Sequence, residues 1–116
     1  MRIDVLGNKL DLTPSIKKYI DEKFTPLGKM LSNFEHEGET ILFVEIARST
    51  KHHKKGDVFY AEATLKLPGK TLRVEHFDVN VRTSIDMIRS VLREEIKKFK
   101  EKKQEKYGKK REKNIQ

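Results

Sequence analysis

The sequence contains no cysteine. Disulfides, thiolate metal sites and cysteine nucleophiles are therefore excluded, and a reducing compartment is the natural setting. Long apolar runs are also missing. No stretch approaches the roughly 18 residues that a membrane-spanning helix needs. The opening MRIDVLGNKLDLT is too short and too acidic to read as a secretory leader. No GxxxxGK[ST] phosphate loop, GxSxG elbow or GxGxxG turn occurs anywhere, which removes the commonest nucleotide-binding and hydrolase signatures. Glu35-His36-Glu37 sets acids beside a base, but in a polar loop with no nucleophile or metal cage to complete a site. The expectation is a soluble, cytoplasmic, non-enzymatic protein with no cofactor, no metal and no small-molecule substrate.

What is abundant is charge. Charged residues make up 38% of the 116 positions against 35% hydrophobic ones, and the net charge is +8. A lean core follows, although a chain of this length can still fold as one domain. The placement of the excess matters more than its size. Residues 97–116 hold ten Lys or Arg against three Glu, while residues 1–96 hold sixteen basic and fifteen acidic groups. A concentrated positive end attracts polyanions and speeds encounters with them. Nucleic acid and an anionic membrane surface both satisfy that requirement.

Periodicity supplies the elements. Ile3 and Val5 alternate with Arg2 and Asp4 as in a strand with one buried face. Gly7 and Asn8 are expected to turn the chain. Thr13-Pro14 reads as an N-cap followed by proline at the first helical position. Ile16, Ile20, Phe24, Leu27 and Leu31 then recur every three or four residues. A kink or restart is expected at Pro26, with Thr25 as a second cap. NFEHEGE reads as a polar loop, and ILFVEIARS as a strand rich in β-branched and aromatic residues. VFYAEATLKL alternates strictly, Pro68-Gly69 fits a type II turn, and Leu72, Val74 and His76 continue the inner face of a fourth strand. His76 and Tyr60 are expected to be packing residues. The last helix buries Val81, Ile85, Ile88, Leu92, Ile96 and Phe99. From Asn80 to Lys103 it would be about 36 Å long, and its buried stripe stops at Phe99. The fold class is α+β, a β-α-β-β-β-α chain with two helices on one face of a four-stranded sheet. Residues 1–103 form the domain and residues 104–116 a basic tail expected to be disordered.

Two segments carry a family likeness. IDVLGNKLDLTPSIKKYIDEKF, with Gly7, Thr13, the apolar helix positions and Lys23-Phe24, resembles the start of the ribosome hibernation promoting factors, also called ribosome-associated inhibitor or sigma-54 modulation proteins. NVRTSID resembles the Asp-Met-Tyr-Ala-Ala-Ile-Asp pattern that opens their last helix. Ile85 and Asp86 are kept, Asn80 replaces the first aspartate and keeps its capping chemistry, and Arg82 replaces the aromatic. Leu92, Ile96, Lys98 and Lys100 match further leucine and lysine positions, Glu94 stands where a basic residue is common, and KHHKKGDVFYAEATLKLPGKTLRVE is similar to the longer-loop branch. The resemblance implies a double-stranded RNA-binding-domain-like fold. It also implies binding to the small ribosomal subunit in the mRNA and tRNA channel at the decoding region, inhibiting translation under stress or in stationary phase. A chain ending in a basic tail is expected to be a short form and a monomer off the ribosome.

The RNA-binding residues expected on this basis are Arg82, Arg89, Arg93, Lys97, Lys98 and Lys100 on the last helix. Lys51, His52, His53, Lys54 and Lys55 form a second group in the loop, and Lys17, Lys18 and Lys23 a third on the first helix. Ordinary solvated charge is the plain alternative for each. For the last helix, few acids follow Glu95, and like charges three and four apart repel by a few tenths of a kcal/mol per pair. Phosphates would relieve that repulsion and release counterions. The adjacent histidines could stack on splayed bases; they lack helical i, i+4 partners for metal. A general double-stranded RNA-binding module acting off the ribosome is the alternative function. A protein-interaction module would need an exposed apolar patch, for which the sequence gives no sign.

Overall fold

Alternating apolar and polar side chains along four segments build one sheet with a buried and an open face. The computed structural model describes residues 1–49 and 58–115, without the side chains of 35–37 and 104–115. The elements are β1 (Arg2–Asn8), α1 (Pro14–Met30), a 3-10 turn (Ser32–Glu37), β2 (Ile41–Arg48), β3 (Phe59–Leu67), β4 (Lys70–Asp78) and α2 (Val81–Ile115). Strand order is β1-β2-β3-β4. β1 runs parallel to β2, and the β2–β3 and β3–β4 pairs are antiparallel. A parallel neighbour needs a crossover connection, and α1 supplies it. This is the β-α-β-β-β-α order expected from the sequence.

Register aligns the apolar positions into rows. Leu42 faces Leu65 and Leu65 faces Leu72; Val44 faces Ala63 and Ala63 faces Val74. On that face lie Ile20, Phe24, Leu27 and Leu31 from the α1 region and Ile85, Ile88, Leu92 and Ile96 from α2, in a single core cluster. α2 packs over β3 and β4 and also touches α1. Ala61 and Ala63, fully buried on β3, leave room for a helix to approach closely.

Both helix starts are capped as expected. The Thr13 hydroxyl accepts from the Ile16 N–H (3.2 Å), and the Asn80 side-chain oxygen accepts from the Thr83 N–H (3.1 Å). Three local expectations are corrected. α1 has no second start: it is one helix from Pro14 to Met30 with Pro26 inside it. Thr25 donates its hydroxyl back to Asp21 Oδ1 (3.3 Å) and caps nothing. Burial of Phe24, Leu27 and Leu31 on both sides outweighs an interior-proline cost of about 3 kcal/mol. Next, Gly7 and Asn8 belong to β1, and the turn comes at Lys9, whose φ is 54°. Glycine is needed at position 7 for close approach, because a Cβ there would lie 2.5 Å from the Leu10 carbonyl oxygen. Finally, the polar NFEHEGE stretch contains the 3-10 turn, whose Phe34 meets Phe99 of α2 edge-on at 5.5 Å. Gly69, at φ 77°, takes the positive-φ position of the Pro68-Gly69 turn.

The open face of the sheet is polar but not wholly so. Tyr60 packs its ring on Phe77 (5.0 Å) and sets its hydroxyl 2.6 Å from Glu62 and 2.8 Å from Glu75. His76 is half-buried at the sheet end, 3.2 Å from Asp78. Leu6, Phe43 and Phe77 stand exposed on the open face, and Val79, Met87 and Val91 are exposed elsewhere. Strict alternation sends every second residue outward whatever its chemistry. No described helix is long and apolar enough to cross a membrane.

Candidate nucleic-acid interface

The buried stripe of α2 is Val81, Ile85, Ile88, Leu92, Ile96 and Phe99. Advanced by one residue, the same spacing reads Arg82, Asp86, Arg89, Arg93, Lys97 and Lys100. One residue is about 100° of rotation, so these side chains form a ridge along one flank of the core seam. Five of its six members are cations. Arg89, Lys97 and Lys100 are half-buried.

The flank turns toward α1. Ser15, Tyr19 and Lys23, four residues apart on α1, meet the first two members of the ridge. The Tyr19 hydroxyl donates to Asp86 Oδ1 (2.5 Å), and Lys23 Nζ lies 3.7 Å from that oxygen. Arg82 Nη2 donates to Ser15 Oγ (2.8 Å). The Arg82 guanidinium sits 4.8 Å and Lys23 Nζ 5.3 Å from the centre of the Tyr19 ring, both within cation–π range. The hydrogen bond to Asp86, then burial, then the carboxylate's charge push the Tyr19 hydroxyl above its ordinary pKa, against a smaller opposite pull from Arg82. Tyr19 thus stays a protonated donor at neutral pH.

Further along the ridge, cations outnumber their partners. Glu94 Oε1 lies 4.0 Å from Arg93 and 3.7 Å from Lys97, both exposed pairs of small energetic weight. The Nε of Arg89 is buried and has no hydrogen-bond partner among the described residues. Lys103 closes the described part of the helix, its Nζ 4.9 Å from the Phe34 ring centre and 5.3 Å from that of Phe99. The backbone stays helical to Ile115.

The structure thus brings Arg82, Arg89, Arg93, Lys97 and Lys100 into one line and adds Lys23 from α1. Lys98 points off the ridge and pairs with Glu95 (3.7 Å). Lys18 pairs with Glu22 (3.9 Å) on the outer face of α1. Lys17, two residues before Tyr19, is turned about 200° from it and does not join. Lys51, His52, His53, Lys54 and Lys55 lie outside the described residues. Sequence reasoning missed Ser15, Tyr19 and Asp86; their signal was the four-residue spacing on α1 and one acid in phase with the cations. Among the described residues no three of His, Asp and Glu gather as metal ligands.

Comparison with known proteins completes the picture. A family model described as Sigma 54 modulation protein / S30EA ribosomal protein matches residues 3–104. The chain is 34% identical over 86 residues to the ribosome hibernation promoting factor of Acidithiobacillus ferridurans, covering 74% of this chain and 100% of that one. It is 30% identical over 103 residues to the ribosome hibernation promotion factor of Picosynechococcus, covering 88% of this chain and 50% of that protein. The chain therefore spans about half the length of that second relative. Among solved structures, the Thermus thermophilus Protein Y N-terminal domain superposes with a TM-score of 0.69 at 27% identity, covering 85% of this chain and 99% of that one. A ribosomal subunit interface protein from Coxiella burnetii has a TM-score of 0.67 over 86% of this chain and 98% of that one; at 18% identity it speaks for the fold alone. The likeness read from the residues holds, and the chain belongs to the Sigma 54 modulation protein / S30EA ribosomal protein family.

Proposed function

We propose that this chain is a ribosome hibernation factor. It binds the small ribosomal subunit through the α1–α2 flank, occupies the mRNA and tRNA channel at the decoding region, and stops translation in stressed or stationary cells. The cationic ridge of α2, with five cations at its six positions, is the observation that carries this reading. Cations placed three and four residues apart repel one another, and phosphates remove that repulsion while releasing counterions. Side chains gain little base information from A-form grooves, so the contact reads RNA shape and backbone. The action is steric and electrostatic, needs no cofactor, and belongs in the cytoplasm with the ribosomes. Lys51 to Lys55 supply a second contact in this reading, and the tail beyond residue 103 extends the cationic surface.

Cosedimentation with purified small subunits tests it. Arg89, Arg93, Lys97 and Lys100 changed together to Ala should abolish pelleting and leave the circular dichroism spectrum unchanged. Pelleting that survives the four changes rejects the ridge. Excess free RNA duplex separates the two RNA readings. A factor specific to the subunit stays bound, whereas a general duplex-binding module is stripped off.

A further inference from the structure

We infer that Tyr19 and Asp86 act as a clamp between α1 and α2 that positions Lys23 and Arg82 for one stretch of phosphate backbone. The inference rests on the RNA-binding reading above and concerns what the acid in the ridge does. By charge alone Asp86 is out of place: it stands among five cations, and a carboxylate there weakens attraction for RNA. Its ion pair gives it little stabilising reason either. The Lys23–Asp86 pair is about half exposed on both sides, at 42% and 48%, and such pairs contribute little.

Geometry supplies the reason. One carboxylate oxygen of Asp86 holds both the Tyr19 hydroxyl and Lys23 Nζ. Lys23 of α1 and Arg82 of α2 both lie within cation–π range of the Tyr19 ring. Arg82 is held a second time by Ser15. Two long, entropy-rich side chains from different helices are thereby ordered before any ligand arrives, which lowers the cost of ordering them on binding. Neither is used up. Arg82 has five N–H donors and spends one on Ser15, and Lys23 keeps ammonium hydrogens free. Tyr19 and Asp86 are positioning residues; Lys23 and Arg82 touch the phosphates.

Charge and position predict opposite signs, which makes the test decisive. Small-subunit pelleting across a salt series should compare the wild-type chain with Asp86→Asn, Asp86→Glu and Tyr19→Phe, with urea unfolding run on each. Asp86→Asn adds one unit of positive charge, yet it should bind about tenfold more weakly, with a shallower salt slope because fewer phosphates are met. Asp86→Glu should restore most of the binding. Tyr19→Phe alters no charge and removes one hydroxyl; it should weaken binding about threefold at unchanged charge. Asp86→Asn binding as tightly as wild type, or more tightly, overturns the clamp and leaves the RNA-binding reading standing. If urea shows Asp86→Asn to be unfolded, Tyr19→Phe decides alone, and wild-type affinity there overturns the clamp. A wild-type chain that fails to pellet with small subunits overturns the functional reading and the clamp with it.

Discussion

Glu62, in the middle of the open face, holds its charge because of what stands across β3 and β4. Arg73 donates to it at 2.9 Å, Tyr60 at 2.6 Å and Thr64 at 3.1 Å. Arg73 first and Tyr60 second pull its pKa from 4.5 to about 2, against the opposing effect of burial. Because the folded value is the lower one, this stabilisation is complete above pH 4.5 and is lost as pH falls through about 2. Urea midpoints measured between those limits should drop more steeply for wild type than for Glu62→Gln. Parallel profiles would deny the network that role. Some slope should survive in the variant, since Asp78 is lowered as well, chiefly by the Asn80 N–H and then by His76. Alternation along β3 puts Tyr60, Glu62 and Thr64 on one face, but Tyr60 reads as a packing residue because Arg73 and Glu75 reach the group through strand register, which residue types alone do not show.

At the level of elements, local chemistry was readable and its exceptions were tertiary. Thr13-Pro14 and Asn80 start helices because a short polar side chain answers an orphan N–H within one turn. Asn80→Ala should cost about 1 kcal/mol in urea unfolding, while Asn80→Ser, which keeps a capping oxygen, should cost much less. Equal losses would show that the bond from Thr83 to Asn80 is incidental. The restart expected at Pro26 does not occur, for the complementary reason. Proline's penalty is local, but Phe24 and Leu27 are anchored in a core whose energy no window of α1 contains. Gly7 is similar: a glycine after a short strand suggests a turn, whereas its use here is to let Leu10 and Leu12 come close.

The molecule as a whole is long and electrically lopsided. Its extents are 64 × 27 × 19 Å, and α2, with 35 residues, accounts for about 52 Å of helix at 1.5 Å per residue. The cations line the flank of α2 facing α1, while on the opposite side of the sheet Asp4, Glu45, Glu62 and Glu75 are interspersed with Arg2, Lys66 and Arg73, so that face is nearly balanced. Such an asymmetry orients the chain toward a polyanion before contact. Affinity for small subunits should therefore fall log-linearly with salt, and the slope should flatten by roughly 0.7 to 0.9 for each phosphate contact removed from the ridge. A salt-independent affinity would contradict phosphate contact altogether.

The succession of elements, the two caps, the Pro68-Gly69 turn, both buried stripes and the family are readable from the order of amino acids. Each of these lives in spacing along one segment, where covalent geometry sets which side chains share a face. Helix packing is what makes Lys23 join the ridge while Lys17 and Lys18 do not, and what lets Asp86 grip Tyr19 where spacing alone shows a break in a row of cations. Those outcomes depend on how closely two helices approach across a shared core, and that distance is a property of packing, written in no single stretch of chain.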